Sequence, residues 1–151
     1  MGGRMVTSMK DVAAYMDSMT NRGFQAAANT LCYVGESCIA EARDGGTYQD
    51  RTGNLRSSIG YAVIWNGRVI ESAVTVQVKN GKAGHSQAEK FLKEVIDKTD
   101  KKGLRLIVTA GMNYAEYVEA KGYNVLSSAE LKGRDLVRVL LLKLGFTIKP
   151  K

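Results

Sequence analysis

The sequence predicts an α+β fold: a long N-terminal helix and further helices packed on a small, largely antiparallel sheet. Three observations carry this. Apolar residues keep helical spacing up to the Gly45-Gly46 pair, the period changes to alternation after Ser57, and Asn66-Gly67 marks a tight hairpin. The order helix, hairpin, helix, strand, helix also lacks the regular alternation of a doubly wound sheet.

The first helix opens at Ser8-Met9-Lys10-Asp11, an S-x-x-D start signal. Met9, Val12, Met16 and Met19 begin a stripe that Phe24, Ala27, Ala28, Leu31, Val34, Cys38, Ile39 and Ala42 continue. The methionines are expected in the core, where Met fills irregular gaps. Asn21-Arg22-Gly23 is expected to kink or split the helix. Ile59, Tyr61, Val63 and Trp65 alternate before the hairpin turn, and Val74, Val76 and Val78 after it, giving strands over 59–65 and 69–78. Asn80–Gly84 reads as a mobile, Gly-rich tip. The capping box Ser86-Gln87-Ala88-Glu89 then opens a helix with Phe91, Leu92, Val95 and Ile96 inward, closed by Asp100-Lys101-Lys102-Gly103. Leu104–Ala110 reads as a buried strand with Leu104, Leu106 and Val108 on one face. Asn113 is placed to cap a short helix over Tyr114–Lys121, which Gly122 closes. A third capping box, Ser127-Ser128-Ala129-Glu130, starts a helix with Leu136, Val137, Leu140, Leu141 and Leu144 inward, ending at Gly145.

At 151 residues the chain is expected to form one domain over 1–151, with flexible ends at about 1–7 and 146–151. Hydrophobic residues at 44% and charged residues at 25% exclude wholesale disorder. No apolar run approaches the ~20 residues of a membrane helix, and Met-Gly-Gly-Arg-Met shows no secretory pattern, so a soluble protein without membrane contact is expected. Cys32 and Cys38 sit about 9 Å apart along one helix, too far for a bridge, so reduced, buried thiols in a reducing cytoplasm are expected.

Catalytic patterns are missing. Neither phosphate-cradling glycine loop occurs, nor a G-x-S-x-G elbow, and Gly81-Lys82-Ala83-Gly84 lacks the P-loop spacing. His85 is the only imidazole and reads as an exposed loop residue. Glu116 and Glu119 share a helix face and with Asp50 could mimic the acidic cluster of a nuclease; the plainer reading leaves Glu116 solvated and Glu119 paired with a nearby Lys or Arg. No enzymatic activity, metal or cofactor is expected. The net charge of +7 is more informative. Lys98, Lys101, Lys102 and Arg105 cluster at one helix end, Lys132, Arg134, Arg138 and Lys143 lie along the last helix, and Lys149-Pro150-Lys151 comes after it. Such patches attract phosphate backbones without reading sequence, so non-specific DNA proximity is expected. A basic, non-catalytic DNA-binding accessory protein is the alternative reading.

Two segments point further. Asp50-Arg51-Thr52-Gly53-Asn54-Leu55-Arg56-Ser57-Ser58-Ile59 is a polar turn running into the first strand, and Gly111–Gly122 leaves the buried strand through Tyr114-Ala115-Glu116-Tyr117-Val118-Glu119. Thr52-Gly53 suits a tight turn at positive φ, and Asp50 can accept from backbone N–H groups or pair with Arg56. This pairing resembles the neck and tail-completion (head–tail joining) family of long-tailed bacteriophages. Members show a long N-terminal helix, a T-G-x-L-R-x-S-I segment, a hairpin, a strand, and Y-A-x-x-V-E-x-G before a last helix. Thr52, Gly53, Leu55, Arg56, Ser58 and Ile59 match the first motif; Tyr114, Ala115, Val118 and Glu119 match the second, with Gly122 one residue later than the motif places its glycine. Order and spacing agree over roughly residues 10–145. Where many members carry Gly-Thr and an aromatic loop, this chain has Ala120-Lys121-Gly122-Tyr123-Asn124-Val125-Leu126. The resemblance implies a virion part that passes through the host cytoplasm during assembly. Its implied partners are other neck, tail or connector proteins, in a homo-oligomeric ring, sixfold in this family's pattern, that associates weakly until a partner is present. The candidate interface is Asp50, Arg51, Thr52, Gly53, Asn54, Leu55 and Arg56 together with Tyr114, Tyr117 and Glu119, with the 80–84 tip beside them.

Overall fold

The computed structural model describes residues 9–147 and has the expected α+β architecture. Helix α1 (Met9–Asp44) and the one-turn α2 (Asn54–Ser57) precede strands β1 (Ile59–Trp65) and β2 (Arg68–Val74). They are followed by α3 (Lys82–Lys98), β3 (Leu104–Ala110), α4 (Ala115–Ala120) and α5 (Ser127–Lys143). The Ser8 start signal and the ends 1–7 and 148–151, with Lys149-Pro150-Lys151, lie outside the described residues. No helix among the described residues is long and apolar enough to cross a membrane.

The sheet order is β2-β1-β3 and both pairings are antiparallel. Asn66 (φ 49°) and Gly67 (φ 83°) make the β1–β2 turn, since a right-twisted hairpin needs positive φ at both central positions. The pairing slips between Val63↔Glu71 and Ile64↔Val69, leaving Ile70 as an extra residue on β2. β2 stops at Val74, short of the expected Val78. Its chain leaves the ladder once the Thr75 amide has bonded the Ile59 carbonyl (2.8 Å).

β1 is buried from end to end, not on alternate residues. Ile59, Tyr61 and Val63 pack with Leu31, Val34, Cys38 and Ile39 of α1 and with partly buried Leu136, Val137 and Leu140 of α5. Ala62 and Ile64 are fully buried on the opposite face, where α3 packs: a Cβ on Gly60 would lie 3.6 Å from Leu92 Cδ2. The Tyr61 hydroxyl donates to Glu36 Oε1 (2.9 Å), so the largest side chain of the core keeps its polar end satisfied.

α1 is one continuous helix of 36 residues, about 54 Å at 1.5 Å per residue, with no break at Asn21-Arg22-Gly23. Its stripe enters the core only at Ala27. Met16 and Met19 are 63% and 49% exposed, so the expectation of a methionine core is corrected: that part of the helix runs past the body of the protein. The side chains of Met9 and Val12 lie outside the described residues.

α3 begins at Lys82, four residues before the expected capping box, and Asn80–Gly84 is not a free tip. Gly81 and Gly84 lie against Ser57 and Asn54 too closely to admit a side chain, and Asn54 Oδ1 accepts from the Gly84 amide (3.0 Å). His85 is therefore helical and half-buried, its Nδ1 3.1 Å from the Thr75 carbonyl. Cys38 is buried and Cys32 half-buried, both as free thiols. α5 ends in a Schellman arrangement: Phe146 N–H donates to Leu141 O (3.1 Å) and Gly145 N–H to Leu142 O (3.1 Å), which holds Phe146 against the helix end.

Because the outer face of β1 is covered, Ile64→Ala is expected to cost about 2–5 kcal/mol in chemical denaturation, the range for a buried aliphatic truncation. A loss under about 0.5 kcal/mol, as at a solvated position, would show that face to be open.

Candidate functional site

The two motif segments meet at one end of the sheet. Leu55 of the first and Ala115 of the second share a small core with Tyr48 and Val125, closed by Met112, Val118 and Leu126. Each segment is then fixed by a carboxylate that bonds backbone amides.

Asp50 holds the first. It is 6% exposed; its Oδ1 accepts from the Gly53 amide (3.1 Å) and its Oδ2 from the Arg56 amide (3.2 Å). Of the two partnerships open to Asp50, the structure has the backbone one. Gly53 sits at φ 81°, where a Cβ would overlap the Val78 carbonyl, so the turn demands glycine on both counts. A helical turn, α2, intervenes between this turn and β1. The Arg56 guanidinium donates to the carbonyls of Arg43 (Nε, 3.0 Å) and Gly46 (3.3 Å), and lies 5.2 Å from the Tyr48 ring centroid. Arg56 thus ties the end of α1 to α2. Lys79 Nζ reaches the Asp50 carbonyl (2.7 Å), and Ser57 Oγ accepts from the Val78 amide (2.8 Å).

Glu119 holds the second. Its Oε2 accepts from the amides of Val125 (2.7 Å) and Leu126 (2.9 Å), and its Oε1 from the Ser127 amide (3.1 Å) and hydroxyl. The expected pairing with Lys or Arg is corrected: the carboxylate sits on the orphan donors at the start of α5, where negative charge is favoured. Asn124 completes the cap. Its Oδ1 accepts from the Ser128 amide (3.0 Å), while its Nδ2 donates to Ser128 Oγ (2.7 Å) and the Gly45 carbonyl (2.9 Å). The expected local capping box does not form, and Asn113 makes no cap to α4. Asn124, Tyr48 and Lys79 were not singled out in the sequence; an Asn four residues before Ser128 was the one available signal.

Burial of Glu119 opposes ionisation, but the Ser127 hydroxyl and the amides of Leu126, Val125 and Ser127 outweigh it and hold the carboxyl below its usual range. Burial pushes the Tyr48 phenol up to about 12, with Arg56 opposing and Asp50 and Tyr114 adding. Burial, then the charge of Asp50, likewise raises Tyr114.

The candidate residues therefore divide. Asp50, Gly53 and Leu55 are buried, and Asn54, Arg56 and Glu119 are half-buried with their polar groups turned onto the chain. Arg51, Thr52, Tyr114 and Tyr117 are exposed, Tyr117 most of the two rings at 61%, with Lys121 Nζ 4.8 Å from its centroid. Asp50, Glu116 and Glu119 do not gather into a cluster: no group of three or more His, Cys, Asp or Glu among the described residues is placed to hold a metal ion.

Comparison of the chain with family models, with curated proteins and with solved structures finds no match in any of the three. The functional reading therefore rests on the residues and their geometry.

Some of the basic excess is internally paired. Arg105 bonds Asp100 (2.9 Å), Arg134 bonds Glu130 (2.7 Å), and Lys132 lies 3.6 Å from Glu41.

Glu119→Gln removes the charge from the α5 cap and is expected to cost about 1.5–3 kcal/mol, the range for hydrogen bonds to an ionised group. Because the folded-state pKa is lowered, this stability is present above the ordinary value of 4.5 and is lost as pH falls from there through the folded value. Urea titrations across that window should show wild type converging on Glu119→Gln at low pH. A constant gap between the two would exclude the charge as the cause.

Proposed function

We propose that this protein is a non-catalytic structural component of the head–tail junction or tail terminus of a long-tailed bacteriophage or prophage, acting by ring assembly and subunit docking. One observation carries the reading. The two segments that resemble the neck and tail-completion family, distant in sequence, fold onto a single carboxylate-anchored junction and leave Arg51, Thr52, Tyr114 and Tyr117 exposed on it. Two polar-tipped aromatic rings beside a cation are the kind of side chains that interfaces favour. The implied partners are neck, tail or connector proteins, with a ring of this chain as the assembled form. The implied location is the virion, reached through the host cytoplasm. Ring closure requires a heterologous contact, in which one surface of the subunit meets a different surface of the next.

The test belongs on the exposed residues. Arg56→Glu is unsuited to it, because its guanidinium bonds two backbone carbonyls and its loss disturbs the fold itself. Arg51→Glu and Tyr117→Glu leave those bonds intact. Particles assembled with either variant are expected to separate into heads and tails, while the purified variants keep wild-type thermal midpoints. Infectious, joined particles from both would remove the interface from this face.

The net charge of +7 favours the second reading, a basic DNA-binding accessory protein. A salt titration of DNA affinity separates the two: weak binding lost steeply with salt fits incidental phosphate attraction, and tight, sequence-selective binding at physiological salt favours the accessory protein.

A further inference from the structure

α1 carries one apolar stripe along its length, but only part of that stripe is covered. Met16 and Val34 are 18 residues apart in the sequence, about five full turns, and so lie at the same angle around the helix. Val34 is fully buried and Met16 is 63% exposed. Every described side chain from Lys10 to Arg22 is exposed, so over about 20 Å of this arm none of them is covered by the body of the protein, and Phe24 is the first to meet it, against Trp65.

Where the stripe meets the body, an apolar cleft of about 1220 Å³ opens between α1, α5 and the sheet. Phe24, Trp65, Leu106, Val137, Leu141 and Phe146 line it. The rings of Phe24 and Trp65 lie tilted against each other in its wall, with centroids 4.6 Å apart. Arm and cleft are contiguous, since Phe24, Ala27 and Leu31 belong to both the stripe and the cleft wall.

The charges are complementary. Arg138 stands on the cleft rim and Asp17 flanks the stripe beside Met16, and neither has an ion-pair partner among the described residues. The rim's other cation, Arg134, is already held by Glu130. Between Lys10 and Gln25 the arm has Lys10 and Arg22 against Asp11 and Asp17, so it brings no net charge to a chain that is otherwise strongly basic. A neutral helix with an apolar stripe fits a helix-in-groove contact.

We propose that the occupant of this cleft is the α1 arm of a second copy of the chain, with the Met16–Met19 stripe in the cleft and Asp17 of one copy against Arg138 of the other. The contact goes beyond the head–tail reading and does not depend on it. It uses surfaces distinct from Arg51 and Tyr117, so failure of one reading leaves the other standing.

The test is sedimentation velocity of the purified full chain alone over a concentration series, read beside circular dichroism. Wild type is expected to associate reversibly, as a dimer or a closed ring. Met16→Glu with Met19→Glu is expected to weaken association about ten-fold or more, since charge replaces apolar area at the contact. Asp17→Arg should weaken it about five-fold, and adding Arg138→Asp should restore it to within about two-fold of wild type, as a direct charge pair requires. All four positions are exposed, so helicity and thermal midpoint should not move. A wild type that stays monomeric at every concentration, association indifferent to the methionine substitutions, or a charge swap without rescue would each overturn the proposal and leave the cleft to a different partner.

Discussion

Strand β1 runs between two partner strands and between two layers of helix, so its residues from Ile59 to Ile64 are all removed from water. Such a strand can be satisfied only if both ladders form and both faces are covered. The rest of the molecule follows from that demand. α1 and α5 cover the face of Ile59, Tyr61 and Val63, and α3 covers the face of Ala62 and Ile64. The outer edge strand β2 stays exposed, carrying the bulge at Ile70 and the charges of Arg68 and Glu71 that discourage further strand pairing.

Entry to and exit from this sheet are governed by two carboxylates used in the same way. Asp50 gathers the amides of Gly53 and Arg56 before β1, and Glu119 gathers those of residues 125–127 after β3. In both cases ionised oxygen meets backbone donors that no ladder or helix satisfies. Both acids therefore work on the chain itself, while Arg51, Thr52, Tyr114, Glu116 and Tyr117 of the same segments stay exposed. Asn124 links the two halves, since its amide bonds both the end of α1 and the start of α5.

Much of this was legible in the sequence where the determining interaction is local. Asn66-Gly67 specifies its turn through its own backbone, and the helical and alternating periods located α1, β1, β3 and α5. The misses share a cause in long-range packing. A stripe containing Met16 reads the same whether its own chain covers it or not. Ala62 and Ile64 were apolar residues within an alternating run, and that excess was the sign of a second covered face. The start of α3 moved to Lys82 because Gly81 and Gly84 lie against residues 53–57, which no local signal encodes. Glu119 was marked as a candidate, but its target lies beyond the Gly122 turn, so its inward role became visible only in three dimensions.

The central claim is that Asp50 and Glu119, one from each motif segment, are turned inward and bond the backbone. Amide hydrogen exchange at neutral pH tests this most directly. The account predicts that the amides of Gly53, Arg56, Val125, Leu126 and Ser127 exchange as slowly as those of β1, through opening of the whole core. Exchange of these five amides at the rate of exposed loops, with β1 still protected, would contradict it.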